Sequence, residues 1–382
     1  MSRLQELISQ LCPNGVEYKS LGELATDIYR GSGIKRDEVT EIGTPCVRYG
    51  EIYTTYGIWF EECVSHTIEE NISNKKYFEH GDILFAITGE SVKEIAKSCA
   101  YIGNEKCLAG GDIVVLKHNQ DAKYLSYALS TTEAQVQKSR GKVKSKVVHS
   151  SVPAIKEIVV PIPPLEVQRE IVRILDKFTL LIAELTAELT VRKIQYEYYR
   201  NKMFSYNKRI PEIILDDVVS ITSGKNKERL DEGEFPVFGS TGIIAKTNTA
   251  VYNHEQILVA RVGANAGYVH LANGQYDVSD NTLIVDVKQG YLLKYVYYML
   301  INMNLNQYAK GGGQPLITAG ELKKLFISMP QYEVQKRIVN ILEKFDAICT
   351  DLNIGLPAEI EARQKQYEYY RDKLLTFKEL GE

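Results

Sequence analysis

The sequence lacks the features that would place it in a membrane or make it an obvious enzyme. No apolar run approaches the eighteen or so residues of a membrane span, so no contact with a bilayer is expected. Six cysteines are present, at positions 12, 46, 63, 99, 107 and 349. None forms a CxxC pair or has a histidine at ligand spacing, which excludes the usual zinc sites. With no signal peptide, they read as unpaired thiols in the cytoplasm. There is no GxxxxGK loop followed by Ser or Thr, no HExxH and no GxSxG. The Asn/Asp-Pro-Pro-aromatic run of methyltransferases acting on base amino groups is also missing. Glu90 and Lys93, with Asp82 upstream, make a faint nuclease-like pattern that arises readily by chance. The loop Gly263–Gly267 has no following basic residue and no clear helix, so it makes a poor nucleotide site. The expectation is a non-catalytic chain with no metal or cofactor of its own.

What the sequence has is a long internal repeat. QYEYYR at Gln195–Arg200 returns at Gln366–Arg371. Upstream of each copy lies a second match, PPLEVQREIVRILDKF at Pro163–Phe178 and PQYEVQKRIVNILEKF at Pro330–Phe345. The unit is about half the chain, far longer than a solenoid repeat, and implies two copies of one domain-plus-helix module. Within the first copy, Ile171, Leu175, Phe178, Ile182, Leu185, Leu189, Arg192, Tyr196, Tyr199 and Met203 step by four and three in strict alternation. Such a sustained heptad seam predicts a coiled-coil helix, about 60 Å long for roughly 40 residues. The second copy gives Ile338, Leu342, Phe345, Cys349, Leu352, Leu356, Ile360, Arg363, Tyr367, Tyr370 and Leu374. Two adjoining fours at Leu352, Leu356 and Ile360 form a stutter, and Gly355 and Pro357 within it predict a kink or break.

A chain of 382 residues with 44% apolar and 25% charged residues is long enough for two or three ordinary cores. Short β-type runs separated by glycine and asparagine surround the helices: Pro45–Tyr49, Ile83–Ile87 and Ile113–Leu116, then Phe235–Gly239 and Ile257–Ala260. Helical stretches at Asp121–Lys138 and Tyr295–Leu300 match in position. Between these anchors the two halves differ almost completely, and divergent loops on a shared scaffold carry specificity. The expected fold class is α+β. Globular units at 1–163 and 207–329 alternate with helices at 164–206 and 330–378, the helices pairing as an antiparallel coiled coil with pseudo-twofold symmetry.

The net charge of −3 is that of few dedicated nucleic-acid binders, so local patches decide the matter. Arg140, Lys142, Lys144 and Lys146 alternate along one loop, and its counterpart is Lys310, Gly311, Gly312, Gly313 and Gln314. Arg30, Lys35 and Arg36 flank Gly31-Ser32-Gly33, while Lys225, Lys227 and Arg229 follow Gly224. Lysines there suit phosphate contacts, and glycines let backbone N–H groups approach a ligand. Arg48 and Arg261 each end a strand, where a fixed guanidinium reaches a base edge.

The two lead-ins of the form Pro-x-x-x-x-Gln, their IVxIL continuation, the QYEYYR segments and LCPNGVEYKSLGEL at the start resemble the specificity subunits of Type I restriction-modification enzymes, over the whole chain. That resemblance implies two target-recognition domains, each reading one half of a bipartite sequence in double-stranded DNA, with the helices as a ruler. It further implies two methyltransferase subunits that carry S-adenosylmethionine, and translocase-nuclease subunits for cleavage. The rival reading is a coiled-coil scaffold bearing two peptide- or glycan-binding domains.

Overall fold

The computed structural model describes residues 3–139, 143–144, 147–205, 210–351 and 353–381. The chain divides into two compact units. The first comprises residues 1–184 and 360–382, the second 185–359. Five helices matter below: α1 (Ala122–Leu129), α2 (Leu165–Phe204), α3 (Leu293–Asn302), α4 (Tyr332–Cys349) and α5 (Leu356–Leu374).

The first unit is built on an inner sheet of five strands. Their order is Ala25–Arg30, Ile113–His118, Ile83–Ala86, Ser98–Tyr101 and Trp59–Phe60. The central strands read as unbroken apolar runs because both faces are covered. Ile83, Phe85, Val114 and Leu116 pack toward α1 and the start of α2. Their neighbours Leu84, Ala86, Ile113 and Val115 pack the other way, against Val47, Phe78 and Ala109 of a second sheet. Alternate side chains of a strand point to opposite faces, so this partition follows from the pleat. Complete burial of each large side chain contributes roughly 2–3 kcal/mol.

The second unit repeats the plan. Its inner sheet runs Val219–Ser223, Thr282–Val287, Gln256–Ala260 and Val269–Ala272. Each strand occupies the place of its counterpart in the first unit. Ile257, Val259, Leu283 and Val285 face α3 and α4, while Leu258 and Ile284 face Tyr276 and Val278. In both units the outer sheet contains a short parallel pair, Thr44–Val47 with Cys107–Ala109 and Phe235–Gly239 with Asp277–Val278.

The helices follow the seam in burial. From Ile171 to Tyr196 each seam residue of α2 is buried or half-buried, Leu185, Leu189 and Arg192 included. Tyr199 is 42% exposed. The second copy is two helices rather than one. It ends at Cys349 and restarts at Leu356, with Pro357 in the first turn, where its missing N–H costs nothing. A Cβ on Gly355 would lie 2.5 Å from the Ala347 carbonyl oxygen, so only glycine fits this break. Leu352 lies outside the described residues. The strand expected over Pro45–Tyr49 stops at Val47, because Arg48 caps a helical turn, Tyr49–Thr54, with Glu51 bonded back to its backbone.

The PxxxxQ motif has a physical cause visible in both units. Gln168 is wholly buried. Its amide nitrogen donates to the Pro163 carbonyl at 2.7 Å and to Gln120 Oε1 at 2.9 Å, and its oxygen accepts from the Asp121 N–H at 3.1 Å. Gln335 donates to the Pro330 carbonyl at 2.9 Å and accepts from the Leu292 N–H at 3.3 Å. Each glutamine ties the start of its long helix to the N-terminus of α1 or α3.

Candidate nucleic-acid interface

In the first unit the strand Ala25–Arg30 ends where Gly31 presses against the backbone of Gly110. A Cβ at Gly31 would sit 2.2 Å from the Gly110 oxygen. This close approach makes two bonds, Gly31 N–H to the Ile113 carbonyl at 2.8 Å and Ser32 N–H to the Ala109 carbonyl at 2.9 Å. It also shapes a cavity of about 550 Å³ whose walls include Gly33, Arg36, Arg48, Tyr49 and Asp112. Arg36 and Arg48 are thereby brought together. Arg30 is held beside them by Asp112 and the Gly111 carbonyl. Arg48 is fixed by Glu51 at 3.1 Å, a carboxylate that is itself buried and accepts from Ser65 at 2.7 Å. A guanidinium held this way loses little entropy on meeting a base edge or phosphate. Lys35 projects further out, its side chain 78% exposed and 4.0 Å from Glu38.

The second unit keeps the backbone device and changes the side chains. A Cβ at Gly224 would sit 2.2 Å from the Ser279 oxygen, and the matching bonds run from Gly224 to Thr282 and from Asn226 to Val278, both at 2.9 Å. Lys225, Lys227 and Arg229 follow and are exposed. Arg229 folds back onto carbonyls of its own turn, Glu228 at 2.9 Å being the nearest. Arg48 and Arg261 end different strands of the plan, so they are not equivalents. Arg261 extends the inner strand Gln256–Ala260, and its Nε is buried without a hydrogen-bond partner.

The two loops paired from sequence are both hairpins, docked on the same extension of the inner strand. In the second unit Lys310 and Leu316 exchange backbone bonds at 3.0 and 2.8 Å, which leaves Gly311, Gly312, Gly313 and Gln314 exposed at the tip. Gly311 has φ +112°, a conformation that favours glycine. The hairpin is fastened by Gly263 N–H to the Pro315 carbonyl and Ile317 N–H to the Arg261 carbonyl, both at 2.9 Å. The Gly263–Gly267 turn therefore serves as an anchor. Lys310 pairs with Glu321 at 2.8 Å, and this ammonium with the Thr318 donors holds the Glu321 carboxyl down at about 2. In the first unit the strands Val143–Lys144 and Val147–His149 form the hairpin, which pairs with Thr88–Gly89 and adds Ser150 N–H to the Ile87 carbonyl at 2.9 Å. Arg140, Lys142 and Lys146 lie outside the described residues, and of Lys144 only the backbone is described.

The nuclease-like pattern does not assemble. Asp82 is buried before the strand Ile83–Ala86, ion-paired to Lys117 at 3.1 Å, with Glu90 beyond the strand's other end. The strands Ile83–Ala86 and Thr88–Gly89 lie between the two, and the Asp82 carboxylate is already taken up by Lys117. Among the described residues no group of three or more His, Cys, Asp or Glu side chains is placed to hold a metal ion. Among them, too, no helix is long and apolar enough to cross a membrane.

The duplication is echoed by comparison with known proteins. The family model of the Type I restriction modification DNA specificity domain matches residues 13–191 and again 196–362. This chain belongs to that family. The Type I restriction enzyme EcoR124I/EcoR124II specificity subunit of Escherichia coli is 34% identical over 264 residues, which is 58% of this chain and 63% of the relative. The EcoprrI specificity subunit of the same species is 34% identical over 206 residues, 50% of this chain and 51% of its own. This member of the specificity family thus spans about half to two thirds of the length of those relatives. Its fold matches the crystal structure of a Type I restriction-modification S subunit from M. genitalium, with a TM-score of 0.58, 15% identity and coverage of 94% and 96% of the two chains. A chain from a type I R-M system, solved in work on complex assembly and conformational transition, gives a TM-score of 0.60 at 17% identity, covering 95% and 98%.

Two features of this specificity-family site were not foreseen from the sequence. Glu51 fixes Arg48 from a helical turn that begins where the expected strand Pro45–Tyr49 is cut short. Gly31 and Gly224 are matched close approaches, signalled only by a glycine immediately past a strand in each half.

Proposed function

We propose that this chain is the DNA sequence-recognition subunit of a Type I restriction-modification complex. The globular parts, 1–163 and 207–329, each read one half of a bipartite target, while 164–206 and 330–378 set the gap and receive methyltransferase subunits. The observation that carries the reading is the duplicated scaffold within a member of this family. The same strand order, the same glycine close approach and the same docked hairpin present different side chains in each unit. The surfaces to test are Arg30, Lys35, Arg36, Arg48 and the hairpin with Arg140 to Lys146 in one unit. In the other they are Lys225, Lys227, Arg229, Arg261 and Lys310 to Gln314.

The helix ruler rests on two ring contacts, one inside each unit. Phe178 stacks on Tyr370 at 5.6 Å, and Phe345 on Tyr199 at 5.8 Å. Each phenylalanine of one copy meets a QYEYYR tyrosine of the other, as an antiparallel seam requires. Methyl transfer and cleavage belong to the partner subunits, which bring S-adenosylmethionine with them.

The test is a deletion of four residues from the middle of α2. The helix shortens by about 6 Å, or roughly one to two base pairs at about 3.4 Å each. The gap in the methylated target changes and both half-sites stay as they were. Altered half-sites with an unchanged gap would contradict the ruler.

A further inference from the structure

The cavity at the end of the first unit's inner strand carries its charge in cancelling pairs. Arg36 and Arg48 line it, and so do Glu51 and Asp112. Glu51 accepts twice from Arg48, with Oε1 from Nε and with Oε2 from the backbone N–H, both at 3.1 Å. Glu51 is 7% exposed and is held in turn by the Ser65 hydroxyl at 2.7 Å. Asp112 pairs with Arg30 through Oδ1. A phosphate is drawn to cations that nothing else neutralises. Two carboxylates on the wall count against it, since each repels an anion at short range. The cavity suits an uncharged polar group instead.

What Arg48 has left to offer decides which group. Its Nε and backbone N–H are spent, and among the described residues neither Nη has a partner. The side chain is 31% exposed, so the fork is within reach of a ligand. Two Nη groups on one planar guanidinium match two acceptors side by side. On the major-groove edges of the bases only guanine presents such a pair, O6 and N7. Adenine sets an amino donor beside its N7, and the pyrimidines have no second acceptor there. Asp112 supplies the complement. Its Oδ2 has no partner among the described residues, and a carboxylate accepts from the N4 amino group of the cytosine paired to that guanine. Gly33 and Gly50 line the same cavity, and a Cβ on either meets nothing within 4 Å, which leaves room for a flat edge. The second unit lacks the set. Its matched parallel strand pair puts Gly239 in the place of Arg48 and Asn281 in that of Asp112.

We infer that Arg48, positioned by Glu51 and Ser65, reads the guanine of a G·C pair in the first unit's half-site through its major-groove edge, with Asp112 on the paired cytosine. The inference rests on the functional reading above and narrows it to one base pair. Glu51 and Ser65 are positioning residues here: they spend the inner donors of Arg48 and leave the two outer ones for the base.

The full chain is co-purified with its methyltransferase, its target is mapped from methylated adenines, and duplexes carrying that target are titrated with the complex. Each guanine of the first unit's half-site is replaced in turn by 7-deazaguanine, which lacks N7, or by inosine, which keeps O6 and N7 and loses only the minor-groove amino group. The inference expects 7-deazaguanine at one position to lower wild-type affinity about tenfold, with inosine there bound as guanine is. The Arg48→Gln complex no longer distinguishes 7-deazaguanine from guanine at that position. Glu51→Gln, acting through Arg48, widens the base preference at the same pair and at no other. Wild-type affinity indifferent to 7-deazaguanine at every guanine of the half-site, or an Arg48-dependent position that is not a G·C pair, would overturn the inference while leaving the bipartite reading intact. Methylation that does not depend on the chain would overturn both.

Discussion

Replacing Gln168 by leucine tests why the PxxxxQ motif exists. Leucine has similar volume and no polar atoms, so the site stays filled. The buried Pro163 carbonyl and the half-buried Asp121 N–H lose their partners. At about 1–3 kcal/mol for each orphaned buried group, the loss is roughly 2–5 kcal/mol. Gln335→Leu orphans the Pro330 carbonyl and the Leu292 N–H, the latter bond longer at 3.3 Å, so the loss is at the lower end. Urea unfolding reads the first variant directly. The single tryptophan, Trp59, sits in the first unit's inner sheet under the Lys123 ammonium at 3.8 Å and reports that unit. With a slope of about 2 kcal/mol per molar urea, a 3 kcal/mol loss moves the midpoint by about 1.5 M. Arg169→Gln, one residue along and exposed, is the control and leaves the midpoint in place. A Gln168→Leu midpoint within 0.3 M or so of the wild type would refute the strut.

Three further outcomes are expected. Gly31→Ala and Gly224→Ala force apart backbones that meet a Cβ at 2.2 Å and cost about 3 kcal/mol or more each by chemical denaturation, whereas Gly33→Ala, with nothing within 4 Å, is neutral. Arg48→Gln in the methyltransferase complex lowers affinity about 10- to 100-fold and relaxes one position of one half-site, while Lys227→Gln weakens all sequences alike and reduces the salt slope by about one, both read by binding titrations across ionic strength. The His118 imidazole is pushed down to about 4 by burial. The unfolded chain takes up that proton near 6.5 and the folded chain near 4. The stability is therefore fully present above about pH 6.5 and lost as pH falls toward 4, by up to about 3 kcal/mol, and His118→Gln flattens that slope in denaturation curves.

Much of the architecture was legible in the chain because it rests on periodicity. The seam from Ile171 to Tyr199 could be read by spacing alone, and the central strands by runs such as Ile113–Leu116, whose two covered faces demand apolar residues throughout. Gly355 and Pro357 marked the helix break. Of the outer strands, those near Pro45–Tyr49 and at Phe235–Gly239 showed as β-type runs, while two- and three-residue ones such as Val39–Thr40 and Ser65–Thr67 carry no period. Arg48 looked like the end of a strand because the signal that stops it, Glu51 bonding back to the Arg48 N–H, resembles any surface glutamate in sequence. The candidate interface was half-readable. The matched hairpins could be paired by position, but the meeting of Arg36 with Arg48 depends on Gly31 lying against Gly110, a contact between residues 79 positions apart.

The most direct test of the central claim is to co-express this chain with its methyltransferase and map methylated adenines by long-read sequencing. The account predicts a bipartite motif with a fixed gap that vanishes when the chain is omitted, and whose two halves change separately when Arg48 or Arg261 is substituted. Methylation indifferent to the chain would contradict it.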